Sequence, residues 1–135
     1  MALKFKIMSR AIAQELASYL DHRAGEALRA VGHYSEDEYE VVHLRDDLRQ
    51  QYTDEEIQAI VEDLRWESFT KSSQEGQFHL GGLKCSIQAF EEGVVMHFPY
   101  DDQHGTLVSL DPGAARDLMQ FIDDCLTRIE RKQDN

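Results

Sequence analysis

The fold of this chain is decided by residues 83–110, which read LKCSIQAFEEGVVMHFPYDDQHGTLVSL. Apolar and polar side chains alternate there with a period of two, as Cys85 and Ile87 show. Two short polar turns, at residues 91–93 and 101–105, divide the stretch into three segments. Because consecutive strands joined by tight turns pair antiparallel, the stretch predicts a three-stranded meander.

Three helices are predicted around this meander. Helical spacing over Ser9–Val31, with Gly32 after it, predicts the first helix. Thr53-Asp54-Glu55-Glu56 is a capping box that starts a second helix, which runs to about Phe69. Asp111-Pro112 opens the last helix with an N-cap acid and a proline in its first turn. Its predicted core stripe is Ala115, Leu118, Met119, Ile122, Cys125, Leu126 and Ile129.

One further strand is predicted between the first two helices, at Tyr39–Leu44, followed by a helical turn or irregular connector at residues 45–52. The predicted order is therefore α-β-α-β-β-β-α. Such an order predicts an α+β fold in which helices pack on a mostly antiparallel, four-stranded sheet. Residues 1–131 are expected to form a single domain and residues 132–135 a frayed tail.

Acidic residues dominate the charge of the chain. There are 26 Asp and Glu against 14 Lys and Arg, a net charge of −12, and only five of the bases are Lys. A surplus of carboxylates with few lysines is typical of a protein whose surface must stay hydrated in concentrated salt. An ordinary acidic protein is the alternative. The acidic surface also makes nucleic acid an unlikely partner, because phosphates are repelled at low salt.

The compartment is predicted from three absences in the sequence. No apolar run reaches the roughly 18 residues needed to cross a bilayer. Arg10, Gln14 and Glu15 interrupt the apolar segment that a signal peptide would need. Cys85 and Cys125 belong to no paired-cysteine motif. The sequence therefore predicts a cytoplasmic protein with free thiols and no membrane association.

No catalytic, cofactor or metal signature is present in the sequence. The six histidines lack the spacing that brings three or four zinc ligands together, and no nucleophile motif occurs. We therefore predict no catalytic residue, no cofactor and no metal. The only candidate ligand groove combines Arg45 and Asp46 at a strand end with His97 and His104 beside a later turn.

Three aromatic side chains lie beside the main apolar stripe of the second helix and form the candidate interface. They are Tyr52, Trp66 and Phe69. Core filling is the ordinary role of such residues, but aromatics are also enriched in the energetically dominant part of interfaces. A small sheet with three helices also leaves apolar surface that a monomer covers poorly. We therefore expect a homodimer that uses these side chains.

Four segments resemble a family of uncharacterised small proteins of halophilic archaea. They are LRDDL (44–48), YTDEE (52–56), MHFP (96–99) and VSLDP (108–112). The resemblance implies a halophilic, cytoplasmic protein. The family carries no assigned activity, so the resemblance implies nothing about function. The element order is also similar to roadblock-like and longin-like domains, in which a helix precedes two strands, a helix, three strands and a final helix. The chain departs from them in having one predicted strand, not two, after the first helix.

The roadblock-like resemblance, with its profilin-like layered architecture, implies a scaffold or regulator that dimerises. We therefore expect a non-enzymatic regulatory or protein-interaction domain. A sensor domain that binds a small ligand or metal in the Arg45–His104 groove is the alternative. A DNA-associated transcription regulator is a further alternative, although no helix-turn-helix signal or basic patch is present.

Overall fold

A computed structural model describes residues 2–133, with side chains described from Ile7 onward. The chain forms an α+β fold with one antiparallel sheet. Its elements are α1 (Ala2–Ala24), β1 (Leu28–Ser35), β2 (Glu38–Leu44), α2 (Asp46–Gln51), α3 (Asp54–Ser68), α4 (Lys71–Phe78), β3 (Ser86–Phe90), β4 (Gly93–Pro99), β5 (His104–Leu110) and α5 (Arg116–Gln133). Short 3-10 turns at Gly25–Ala27 and Pro112–Ala115 follow α1 and precede α5.

The sheet has the strand order β2-β1-β5-β4-β3, and every neighbouring pair is antiparallel. The meander predicted from residues 83–110 is confirmed as β3-β4-β5. The strand predicted at Tyr39–Leu44 is confirmed as β2. The sheet nevertheless has five strands, so the prediction of four is wrong. The missing strand is β1, which lies between β2 and β5 near the centre of the sheet.

The first helix ends seven residues earlier than predicted, because Gly25 interrupts it. Gly25 adopts a positive φ of 57°, the left-handed conformation that often ends helices and suits glycine. The chain then turns into β1, which includes Val31 and Gly32. Gly32 therefore lies within a strand rather than after a helix. A Cβ there would lie 3.2 Å from the carbonyl oxygen of Glu40 on β2.

α1 and α3 pack on opposite faces of the sheet. Ala13 of α1 is buried with Val31 and Val108 in one core cluster. On the other face, Leu64 of α3 is buried with Tyr34 in a second cluster. The sheet is therefore the middle of three layers, and its central strands β1 and β5 contribute to both cores.

The remaining helices depart from the predictions. Residues 46–51 form α2 where a turn or connector was predicted, and α4 was not predicted. α5 begins at Arg116, after a 3-10 turn, and none of its residues is buried, so its predicted core stripe is wrong. α5 continues through Gln133, so residues 132 and 133 are helical rather than frayed. Residues 134–135 of the predicted tail lie outside the described residues.

The capping box at the start of α3 is confirmed. Thr53 Oγ accepts a hydrogen bond from the Glu56 backbone N–H at 3.1 Å, and the Thr53 N–H donates to Glu56 Oε1 at 2.9 Å. Two backbone N–H groups that would otherwise lack partners at the helix start are thus satisfied. The box fixes where α3 begins and therefore how it lies across the sheet.

We predict that Thr53→Ala lowers the free energy of unfolding by about 1 kcal/mol, because the N-cap acceptor is lost. Chemical denaturation monitored by circular dichroism measures the change. Thr53→Ser keeps the hydroxyl and is the matched control, with a midpoint close to that of the unmodified protein. A Thr53→Ala midpoint equal to that of the control would contradict the role of the cap.

Candidate functional site: an aromatic surface beside a buried polar network

A buried hydrogen-bond network joins α3 to the sheet. The Tyr34 hydroxyl on β1 lies 2.7 Å from Nε2 of His97 on β4, and Nδ1 of His97 lies 3.0 Å from Glu67 Oε2 on α3. Since a carboxylate only accepts, His97 Nδ1–H donates to Glu67. In neutral His97, Nε2 then accepts a hydrogen bond from the Tyr34 hydroxyl. Tyr34 is fully buried, and His97 nearly so.

Burial tunes the protonation of this network. Desolvation raises the pKa of Tyr34 to about 12, so its hydroxyl keeps its proton at neutral pH. Desolvation also lowers the pKa of His97 below its ordinary value of 6.5, against the opposing effect of Glu67. Both groups are therefore neutral at pH 7, which suits a structural network in the interior.

Backbone contacts complete the attachment of α3. Ser68, the last residue of α3, donates its hydroxyl to the Asp102 carbonyl in the β4–β5 turn at 2.7 Å. The Tyr34 ring lies over Gly105, where an added Cβ would come within 2.7 Å of the ring carbon Cζ. A side chain at position 105 is thus excluded. Of these two contacts, the Ser68 hydrogen bond holds the C-terminal end of α3 against the β4–β5 turn, and the Tyr34–Gly105 approach packs β1 against β5.

Two aromatic side chains project from the end of α3 that this network holds. Trp66 is 67% exposed and Phe69 is 50% exposed. Their rings contact each other with centroids 5.4 Å apart and an interplanar angle of 51°. We call this pair the Trp66–Phe69 surface. Large aromatic side chains on the outside of a monomer are typical of interaction sites.

The Trp66–Phe69 surface forms one wall of a cleft of about 540 Å³. The cleft is also lined by Glu36 and Asp37 from the β1–β2 turn and by Glu62 on α3, which together we call the acidic rim. Arg65 lies between them, donating hydrogen bonds to the Glu36 carbonyl and to the Glu62 carboxylate. The lining therefore combines an acidic rim with an aromatic pair.

Tyr52, the third residue of the predicted interface, lies elsewhere. It precedes α3, whose 15 residues place its two ends about 20 Å apart. Its hydroxyl is 3.5 Å from Arg29 Nη2 on β1, and the residue is half-buried. The structure thus brings Trp66 and Phe69 together without Tyr52.

The four residues of the predicted ligand groove do not lie in one place. Arg45 follows β2, where it donates to Asp47 Oδ1 and Asp111 Oδ2, both at 2.7 Å. Its hydrogen bond lowers the pKa of Asp47. Asp46 begins α2 at the same end of the sheet. The cluster is a set of ion pairs that ties β2 to the segment after β5.

His104 lies at the opposite end of the sheet from Arg45. It pairs with Ser35, the last residue of β1, whereas Leu44 pairs with Ala30 near the start of β1. Ala30 and Ser35 are five residues apart, so at about 3.3 Å per strand residue the two ends are roughly 17 Å apart. His104 Nδ1 donates a hydrogen bond to Asp101 Oδ1 at 2.7 Å. The His104 residue also lines a second cleft, of about 430 Å³, together with Lys71 and Tyr100.

The described residues contain no group of three His, Cys, Asp or Glu side chains that could hold a metal ion. Across residues 2–133, no helix combines the length and apolar character needed to span a bilayer. Cys85 and Cys125 are both free. Burial raises the pKa of the Cys85 thiol, whereas Cys125 is exposed on α5.

The Tyr34–His97–Glu67 network was missed by reasoning from the sequence. Tyr34 lies beyond the end of the predicted helix at Val31 and outside the predicted strand Tyr39–Leu44, so its strand and its buried face were not predicted. No local pattern distinguishes Glu67 from the other acids of a chain that has 26 Asp and Glu. A sequence signal existed in Gly25, which could have ended the helix and released β1.

Residues 14–130 match the family described as "Domain of unknown function (DUF7522)". The chain belongs to this family. The match covers nearly all of the domain, from within α1 to near the end of α5. A comparison with curated proteins finds no match.

The neutral form of His97 in the folded protein predicts a pH dependence of stability. Because its folded pKa is lowered, the unfolded chain binds more protons than the folded chain below about pH 6.5. The contribution of neutral His97 to the free energy of unfolding is complete above about pH 6.5. It is lost as the pH falls through the lowered pKa that His97 has in the folded protein.

We therefore expect the denaturation midpoint to fall between pH 7.5 and 5.5, and His97→Gln to make that fall shallower. The glutamine amide can still bond to its neighbours without titrating. His22→Gln, on an exposed part of α1, is the control and should keep the full slope. Parallel slopes for all three proteins would show that His97 does not titrate on unfolding.

Proposed function

We propose that this chain is a non-enzymatic regulatory domain that works by binding other protein chains, beginning with a second copy of itself. The observation that carries the proposal is the Trp66–Phe69 surface, two large aromatic rings exposed side by side. Exposing such apolar surface to water costs free energy, and burial against a partner removes that cost. The acidic rim gives a means of choosing between partners.

Two features favour an interaction domain over an enzyme. The buried Tyr34–His97–Glu67 network holds α3 to the sheet, and a helix that is already held in place loses less conformational entropy when it binds a partner. The element order also has two strands after the first helix and three before the last. This order supports the proposed similarity to roadblock-like and longin-like domains, which dimerise.

We expect light scattering in molar salt to give a mass near 31 kDa, twice the 15.6 kDa of the chain. Trp66→Ser should shift the mass towards 15.6 kDa, because a dominant aromatic contact is lost. Gln58→Ser, at another exposed position of α3, is the control and should keep the wild-type mass.

The circular dichroism of both variants should match that of the wild type, since both positions are exposed. A wild-type mass of 15.6 kDa at tens of micromolar would contradict self-association. A Trp66→Ser mass equal to that of the control would instead show that the dimer uses a different surface.

The acidic excess is proposed to be an adaptation to a salt-rich cytoplasm. A net charge of −12 on a chain of this size repels itself when it is not screened. At 1 M salt the screening length falls to about 3 Å, so most of this repulsion disappears. The two free thiols agree with a reducing compartment.

The thermal midpoint should therefore be clearly higher in about 2 M KCl than in about 50 mM KCl, by more than a few degrees. A melt in 2 M of a neutral osmolyte separates electrostatic screening from solvent exclusion, and it should not reproduce the full gain. Equal midpoints at the two salt concentrations would contradict the halophilic proposal.

A further inference from the structure

One side of α5 carries an apolar stripe that is exposed. Leu118, Ile122, Cys125 and Ile129 recur every three or four residues and line this side, as helical geometry requires. Phe121 flanks them and is 67% exposed. No residue of α5 is buried. A helix of this pattern normally buries its apolar side against another element.

The sheet has a complementary surface on the face where α1 packs. α1 packs against β1, β2 and β5, which leaves the β3–β4 half of that face less covered. Ile87 and Ala89 of β3 pair with Met96 and Val94 of β4, so these side chains share one face. The β3 side chains Ile87 and Ala89 are exposed, Ile87 by 48%, whereas on β4 Val94 is buried and Met96 packs at the edge of the core below α1. The uncovered part of this region is therefore mainly its β3 side. We call this region the open half-face.

The stripe is about as wide as the open half-face and longer than it. α5 has 18 residues and is therefore about 27 Å long, whereas β3 and β4, with 5 and 7 residues, are roughly 17 and 23 Å long. Two neighbouring strands are spaced by about 4.8 Å and present a band about 10 Å wide, which is the diameter of one helix. One helix would therefore cover the open half-face.

The charges at the ends of the two surfaces are opposite. Arg128, Arg131 and Lys132 lie near the C-terminal end of α5 and outnumber the single acid there, Glu130. Glu91 and Glu92 form the exposed turn between β3 and β4, at one end of the open half-face. In a chain of net charge −12, two copies repel each other in general. A contact that brings a basic helix end to an acidic turn offsets part of that repulsion.

We propose that α5 of one copy packs on the open half-face of a second copy, and that the exchange is reciprocal. This inference rests on the proposed self-association and places the dimer contact at α5 instead of at the Trp66–Phe69 surface. If the exchange holds, Trp66→Ser leaves the mass near 31 kDa, and the Trp66–Phe69 surface is available to a different protein chain. Each chain carries both surfaces, so a two-fold axis satisfies four apolar surfaces at once. The footprint of α5 on each surface gives a total buried area on the order of 1,000 Å², which is enough for a specific interface.

Cys125 is a natural reporter for this contact, because it lies in the centre of the stripe and is exposed in the single chain. Its rate of alkylation by N-ethylmaleimide, followed by peptide mass spectrometry, is measured in the dimer and in the monomer, which are separated by size-exclusion chromatography and identified by light scattering. We expect Cys125 to react at least about tenfold more slowly in the dimer than in the monomer, since docking covers it.

Three variants locate the effect. Phe121→Glu places a charge in the docked stripe and should restore fast alkylation, whereas Thr127→Glu adds the same charge on the opposite side of α5 and should not. Ile87→Glu changes the open half-face and leaves α5 intact, so fast alkylation there cannot come from a damaged helix. Circular dichroism confirms that each variant is folded.

Two outcomes would overturn the exchange. Fast alkylation of Cys125 in a 31 kDa dimer shows that the copies meet elsewhere, and Trp66→Ser then tests whether the proposed function still stands. Slow alkylation in a 15.6 kDa monomer shows that α5 closes on its own sheet. In that case the second copy is not the occupant of the open half-face.

Discussion

The ring of Tyr34 lies over the backbone of Gly105, and its hydroxyl meets His97, which in turn meets Glu67 on α3. Strands β1, β4 and β5 and one helix therefore share a single buried contact. The contact works because its polar atoms are hydrogen-bonded: Tyr34 and His97 are buried in their neutral forms, and the Glu67 carboxylate is paired with His97 while 36% of its side chain stays exposed to water. The orientation of α3, and with it the Trp66–Phe69 surface, depends on this contact.

The half of the fold that follows residue 83 was predictable because its signals are local. Strict alternation and polar turns specify a meander whatever surrounds it. The capping box at Thr53 was predictable for the same reason. β1 was not, since Leu28 and Val31 continue the helical spacing of α1 and Ala24 is a strong helix former. Residues 28–35 form a strand because they pair with β2 and β5, and no local sequence pattern indicates this pairing.

The candidate site shows the same division. Trp66 and Phe69 could be singled out because they lie three residues apart on a helix and off its buried stripe, a relation that local geometry guarantees. Grouping Arg45 with His104 failed, because Arg45 follows the end of β2 and His104 begins β5, and only the pairing of both strands with β1 shows that these positions lie at opposite ends of the sheet. α5 misled for another reason. Its amphipathic pattern indicates that one side needs a partner, but it does not say which chain supplies that partner.

The position of β1 also decides when the protein can fold. β1 pairs with β2 on one side and with β5 on the other. Val31 cannot pair until Val108 has been synthesised. A ribosome synthesising this chain releases α1, β1 and β2 long before the last strand exists. The nascent chain therefore carries a hairpin with an open inner edge, the type of edge that recruits strands from other molecules. Closure is a late, long-range event, and folding is expected to be slow for a domain of this size.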